Sequence, residues 1–201
     1  MVVLIVGDIH GRTESYLKLL NRYAGEPSVQ IGDFGVGFVP IPELPDNAWF
    51  FPGNHDNREL CRQSSHFLGD YGVREVGGVR FFFLSGAWSI DRRMRIEGKN
   101  WWRDEELSVA ELNRAVNLYQ DSKPDIVLSH DGPSIATGRI LARLGSLHFA
   151  QTATGQALDA MFDIHQPAKW IFGHWHVNWR ETIGSTDFRC LSELGWCQVG
   201  G

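Results

Sequence analysis

Eight side chains able to hold or polarise a ligand stand in five short segments of this 201-residue chain: 7-GDIHG-11, 32-GDFG-35, 53-GNHD-56, 129-SHDG-132 and 173-GHWH-176. They are Asp8, His10, Asp33, Asn54, His55, His130, His174 and His176. Neutral imidazoles, carboxylates and one amide oxygen, with no thiolate, suit borderline divalent ions: manganese first, with iron, zinc, nickel or cobalt as the other candidates. One ion takes about four to six donors. Two ions sharing a carboxylate therefore account for eight candidates better than one does. Paired ions roughly 3.5–4 Å apart are the usual device for attacking phosphorus esters, because they clamp phosphate oxygens and acidify a shared water. The spacing within 8-DIH-10 and 174-HWH-176 helps, since alternate side chains of an extended segment point to one side.

Each segment follows a short apolar run. Strands are predicted at Val2–Val6, Ser28–Ile31, Trp49–Phe51, Ile126–Ser129 and Trp170–Phe172, with further runs at Val79–Leu84, Phe188–Leu191 and Trp196–Val199. Helical spacing lies between them. Tyr16, Leu20 and Tyr23 share a face after Thr13, the expected N-cap. Ser108 and Glu111 form a capping box with Leu107 and Leu112 as its staple, and Val109, Leu112, Val116 and Tyr119 make the core stripe. Strands alternating with helices argue for a layered α/β fold, and Phe81–Phe83 should be buried on both faces. In such folds ligands bind beyond the carboxyl ends of the strands, where all five segments fall.

Composition narrows the class. The length favours one domain spanning 1–201, and the net charge of −5 excludes a protein that binds nucleic acid by bulk charge. Cys61, Cys190 and Cys197 cannot all pair, which suits a reducing, cytoplasmic setting. Val2–Val6 is too short to span a membrane, so no membrane partner is expected. His66, His148 and His165 are expected to be surface or packing residues.

A second feature is 88-WSIDRRMRIEGKNWWR-103, where Arg92, Arg93, Arg95, Lys99 and Arg103 are interleaved with Trp88, Trp101 and Trp102. Placed at the rim of the site, it would put arginines on phosphate and an aromatic ring on a base, and so tilts the substrate toward a nucleotide or nucleic acid. Arg58, just after 53-GNHD-56, is a further candidate for the same phosphate.

The ordered series GDIHG, GDFG, GNHD, SHDG and GHWH resembles the calcineurin-like metallophosphoesterase superfamily over residues 7 to 176. The resemblance implies a four-layer α-β-β-α sandwich of two mixed sheets flanked by helices. It implies that Asp8, His10 and His176 hold one divalent ion and Asn54, His130 and His174 a second, with Asp33 bridging. His55 would then be the acid that protonates the leaving group of a phosphomonoester or phosphodiester. The protein Ser/Thr phosphatase branch resembles GDxxDRG at the second block. Here Val36 replaces its aspartate and Gly37 its phosphate-binding arginine, leaving Asp56 and Asp131 as candidates to orient His55. The alternative is a weakly catalytic interaction module on the same scaffold, which the eight filled positions disfavour.

Overall fold

The apolar runs become strands whose alternate residues face different cores. The computed structural model describes residues 2–145 and 151–200. Its elements are β1 (Val3–Val6), α1 (Thr13–Arg22), β2 (Ser28–Ile31), β3 (Ala48–Phe51), α2 (Arg58–Arg62), β4 (Tyr71–Val76), β5 (Val79–Leu84), α3 (Val109–Ser122), β6 (Ile126–Ser129), α4 (Ser134–Arg143), α5 (Ala153–Ile164), β7 (Lys169–Phe172), β8 (Trp179–Ile183), β9 (Thr186–Cys190) and β10 (Trp196–Val199). They form two mixed sheets, ordered β10-β1-β2-β3 and β4-β5-β6-β7-β9-β8.

Three apolar clusters separate four layers. Leu4 and Val6 of β1 and Phe50 of β3 pack with Tyr16 and Leu20 of α1 on the outside of the smaller sheet. Val3, Ile5, Val29, Ile31 and Phe51 meet Phe81, Phe83, Leu128 and Ile171 between the sheets. Phe82, Val127, Trp170, Phe172 and Phe188 pack with Leu112, Tyr119, Ile140, Leu158 and Met161 of the three helices outside the larger sheet. Phe81 to Phe83 are fully buried on both faces, as their sequence implied. At about 25 cal/mol per Å² of apolar surface, these three interfaces are the main favourable contribution to folding.

The capping box forms: Ser108 Oγ accepts from the Glu111 N–H, and Glu111 Oε2 accepts from the Ser108 N–H at 2.9 Å. Two sequence expectations change. Thr13 is the first helical residue of α1 and Arg12 occupies the N-cap without a side-chain bond. Val109 is 66% exposed, and Ala115 takes its place in the buried stripe with Leu112 and Tyr119. β4 and β8 went unmarked because Gly72 and the charged residues of each break the apolar pattern, although antiparallel pairing with β5 and β9 secures them. The Cys61, Cys190 and Cys197 thiols are buried and unpaired. His66 and His165 bind the carbonyls of Ala48 and Pro124, while His148 lies outside the described residues. No helix among the described residues is long and apolar enough to cross a membrane.

Candidate metal centre

Parallel pairing brings the donor loops to one edge. β1, β2 and β3 run parallel, as do β5, β6, β7 and β9, so their carboxyl ends lie together across the two sheets. The turns that follow are tight. His10, Asp33, His174 and His176 all have positive φ, between 44° and 67°, and they are four of the six non-glycine residues with that geometry among the described residues. Such backbones cost about 1–3 kcal/mol each and persist where surrounding structure over-determines them. Gly53 and Gly173 leave the needed room: a Cβ on Gly53 would strike Asp33 Oδ1, and one on Gly173 would strike Asp8 Oδ1.

The side chains gather in two groups. In the first, His176 Nε2 lies 2.9 Å from His10 Nε2 and 3.2 Å from Asp8 Oδ2. Single donor atoms of Asp8, His10, Asp33 and His176 all lie within 4.8 Å of one another. In the second, Asn54 Oδ1 is 2.9 Å from both His130 Nε2 and His174 Nδ1. Asp33 stands between them. Its Oδ1 is 3.3 Å from His130 Nε2, and its Oδ2 is 3.7 Å from His10 Nε2 and 3.9 Å from His55 Nε2.

Burial alone would raise the Asp33 pKa, but the facing imidazoles of His130, His55 and His10 outweigh it and hold the carboxyl well below its usual range. His130 shows the reciprocal balance: burial lowers it, Asp33 opposes more strongly, and the result is about 10. His174 is driven down to about 3 by burial and by the His130 charge.

These residues fit divalent ions. Asp33 Oδ2 is buried with no hydrogen-bond partner, a costly state for a carboxylate oxygen unless a cation meets it. His130 Nδ1 lies 3.0 Å from the Ile31 carbonyl, which can only accept, so Nδ1 carries a proton and Nε2 faces the cluster. A metal-ligating histidine is held in this way by its outer-sphere partner. The donors are nitrogen and oxygen throughout, as borderline ions prefer.

His55 lines an open cleft of about 420 Å³ with His10, Gly35, Phe38, Arg95, His176 and Glu193. Neither aspartate proposed from motif proximity orients it. Asp56 accepts the N–H groups of Phe34, Gly35, Val36 and Gly53, and Asp131 accepts from Gly132 N and Trp175 Nε1. Both are loop anchors, and the Trp175 ring is turned to Asp131. The group beside His55 is Arg95, whose Nη2 is 3.3 Å from Nε2 while Asp91 braces it at 2.6 and 2.7 Å. The segment 88–103 thus delivers a cation to the cleft, whereas a Cβ on Gly37 would strike Trp102. Arg92 lies over the rings of Trp88 and Trp101 at 5.7 and 5.2 Å, and Arg93 is exposed.

Arg58 is a correction. It is 2% exposed, pairs with Asp70, and donates to Ser85 Oγ at 2.7 Å and the Asp104 carbonyl at 3.1 Å, so it does not reach the cleft. Following 53-GNHD-56 placed it near the motif in sequence, but the first turn of α2 aims it inward. Arg58→Ala should destabilise the fold by about 1–3 kcal/mol in chemical denaturation, by taking the buried donor from Ser85 Oγ and the Asp104 carbonyl, while Asp70 keeps Arg62. The KM of the folded fraction should not change, and a raised KM with unchanged stability would restore Arg58 to the substrate site.

Glu193 escaped the sequence analysis. Its carboxylate is 3.5 Å from His176 Nδ1 and pairs with Arg12. The available signal was its place just after the weak strand run Phe188–Leu191, at a further carboxyl end of the same sheet.

A family model for calcineurin-like phosphoesterases matches residues 1–178. The chain is 24% identical to the lariat debranching enzyme of Entamoeba histolytica, covering 90% of this chain and 55% of that one, so it spans about half of the relative's length. The fold is similar to a candidate 5′-nucleotidase from Staphylococcus aureus (TM-score 0.54, 12% identity, 98% of this chain and 50% of that one). It is also similar to the GAP50 anchor of the Plasmodium inner membrane complex (TM-score 0.51, 11% identity, 98% and 80%). At those identities the structural likeness speaks for the fold alone. The family match runs through all five donor-bearing loops, and on it the chain belongs to the calcineurin-like phosphoesterase family.

Proposed function

We propose that this protein hydrolyses phosphoric esters with two divalent ions, manganese first among the candidates, in a cytoplasmic setting. The observation that carries this reading is Asp33, a buried carboxylate with one oxygen toward His130 and the other, unpartnered, toward His10. Asp8, His10 and His176 would hold one ion, Asn54, His130 and His174 the other, and Asp33 both. Bound there, the ions supply the Lewis acidity that polarises phosphate oxygens and acidifies water near neutral pH.

The chain's own groups do the rest. A guanidinium only donates, so in the substrate-free cleft His55 Nε2 accepts from Arg95 and is unprotonated. A phosphate oxygen entering between them accepts from Arg95 instead, and its negative charge favours a proton on Nε2. That proton then passes to the departing alkoxide. Arg95, fixed by Asp91, orients the phosphate from the rim. Phe38, 48% exposed, and Trp102, which donates from Nε1 to the His55 carbonyl at 3.2 Å, stand 6.2 Å apart on the same side. Aromatic surface there supports a nucleotide or nucleic-acid substrate, in keeping with the name of the debranching relative.

The test is reconstitution. The protein is stripped of metal, given Mn, Ni, Zn, Co, Fe or Mg singly, and assayed on nitrophenyl phosphate and bis(nitrophenyl) phosphate. Turnover should return, most with Mn. Failure with every ion on both esters would end this reading.

A further inference from the structure

The proposed ligand Asn54 is 1% exposed, and its amide has two ends to satisfy. Oδ1 is turned to His130 and His174, while Nδ2 donates to Ser89 Oγ at 2.9 Å. Ser89 is itself 1% exposed and belongs to the segment that leaves β5, far from 53-GNHD-56 in sequence. A serine hydroxyl has one proton to give. With a lone pair engaged by Asn54, that proton needs an acceptor of its own, because a buried hydroxyl left without one costs free energy.

The group facing it is Glu105, 3% exposed. Around its carboxylate lie the Ser89 hydroxyl and backbone N–H, the Trp101 indole, and the Arg92 guanidinium at 3.9 Å. None of these closes to full hydrogen-bond geometry, and both Glu105 oxygens and Trp101 Nε1 remain unpartnered. A buried carboxylate left so would cost several kcal/mol, which a small closure onto Ser89 removes. The backbone holds the parts in place, since Ala87 N donates to the Glu105 carbonyl at 3.2 Å.

We propose that Ser89 and Glu105 are positioning residues for Asn54: the Glu105 carboxylate takes the Ser89 O–H, the Ser89 oxygen holds Asn54 Nδ2, and Oδ1 is thereby kept toward His130 and His174. The proposal rests on Asn54 being a metal ligand. It also adds Ser89 to the attachments that 86–105 makes to the site, beside Arg95 and Trp102 at His55.

The experiment is Mn²⁺ titration of the metal-free full chain by calorimetry, with the Asn54 side-chain amide followed by NMR before any metal is added. Ser89→Ala and Glu105→Leu should each weaken one of the two binding events by about 10–100-fold, as loss of an outer-sphere partner does. They should also shift the Asn54 amide resonances in the metal-free protein. Ser89→Thr and Glu105→Gln keep a hydroxyl and an acceptor, and should stay within a few-fold of the parent. Because the residues act through one chain, Ser89→Ala with Glu105→Leu should be no weaker than either alone. If Glu105→Leu fails to fold, Ser89→Ala and its rescue by Ser89→Thr carry the test. Unchanged affinity and an unmoved Asn54 amide in Ser89→Ala would overturn the relay and leave the two-ion reading standing. A parent protein that binds no divalent ion would overturn both.

Discussion

Asp33→Ala should give a folded protein that retains neither ion and hydrolyses esters at no more than a background rate. Losing an outer-sphere partner costs about 10–100-fold in affinity, and this change removes a donor from both groups at once, so the loss should exceed that range. Metal content after gel filtration and calorimetric titration measure it. The metal-free protein offers a second readout. Asp33 is held low by the imidazoles against the effect of burial, so its contribution to stability is present above the unfolded carboxyl value of about 3.9 and lost as pH falls through the lower folded value. His130 is raised to about 10, so its contribution is complete below about 6.5 and lost as pH rises through about 10. In chelator, the melting-temperature gap between parent and Asp33→Ala should therefore be widest near pH 4 to 6.5 and narrow above about 10. A variant that keeps both ions, or a gap that widens into alkali, would remove Asp33 from the centre.

Much of this centre could be read from the sequence because its determinants are local. A β-branched or aromatic run predicts a strand, a glycine and a polar residue predict the turn beyond it, and parallel pairing then brings the ends together. The capping box at Ser108 is local in the same sense, which is why it holds residue by residue. What escaped depends on contacts between distant segments. Glu105 is a glutamate in an acidic stretch until Ser89, Arg92 and Trp101 close around it. Arg58 looks like a phosphate ligand beside 53-GNHD-56 until Asp70, contributed from just before β4, binds it from within. His55 shows the limit most plainly. Its neighbour in space, Arg95, lies 40 positions along the chain, and nothing in 53-GNHD-56 announces it. The 88–103 segment was recognisable as cationic and aromatic, but the division of labour inside it was not. Arg95 faces the cleft, Arg92 is laid against two tryptophans, and only the folded chain separates them.

His55→Ala should keep both ions and the fold while lowering kcat by about 10²–10⁴-fold, the usual worth of a positioned general acid. The loss should depend on the leaving group. A nitrophenolate departs without a proton, whereas an alkoxide needs one, so an alkyl ester should suffer far more than a nitrophenyl ester. Equal losses on both would mean that His55 stabilises charge and donates no proton. Arg95 supplies the complementary test. Burial lowers the His55 pKa, Asp33 raises it, and the Arg95 cation lowers it again. Arg95→Gln removes a positive charge beside the ring, so the imidazolium becomes easier to form and the pKa must rise. The alkaline limb of kcat against pH, which marks loss of the acid's proton, should therefore move to higher pH in Arg95→Gln. KM should rise as well, because the phosphate loses its rim contact. A limb that moves to lower pH would contradict the electrostatics of the pair. A limb that stays in place while KM rises would confine Arg95 to substrate binding, and some other group would then have to hold His55 near its task.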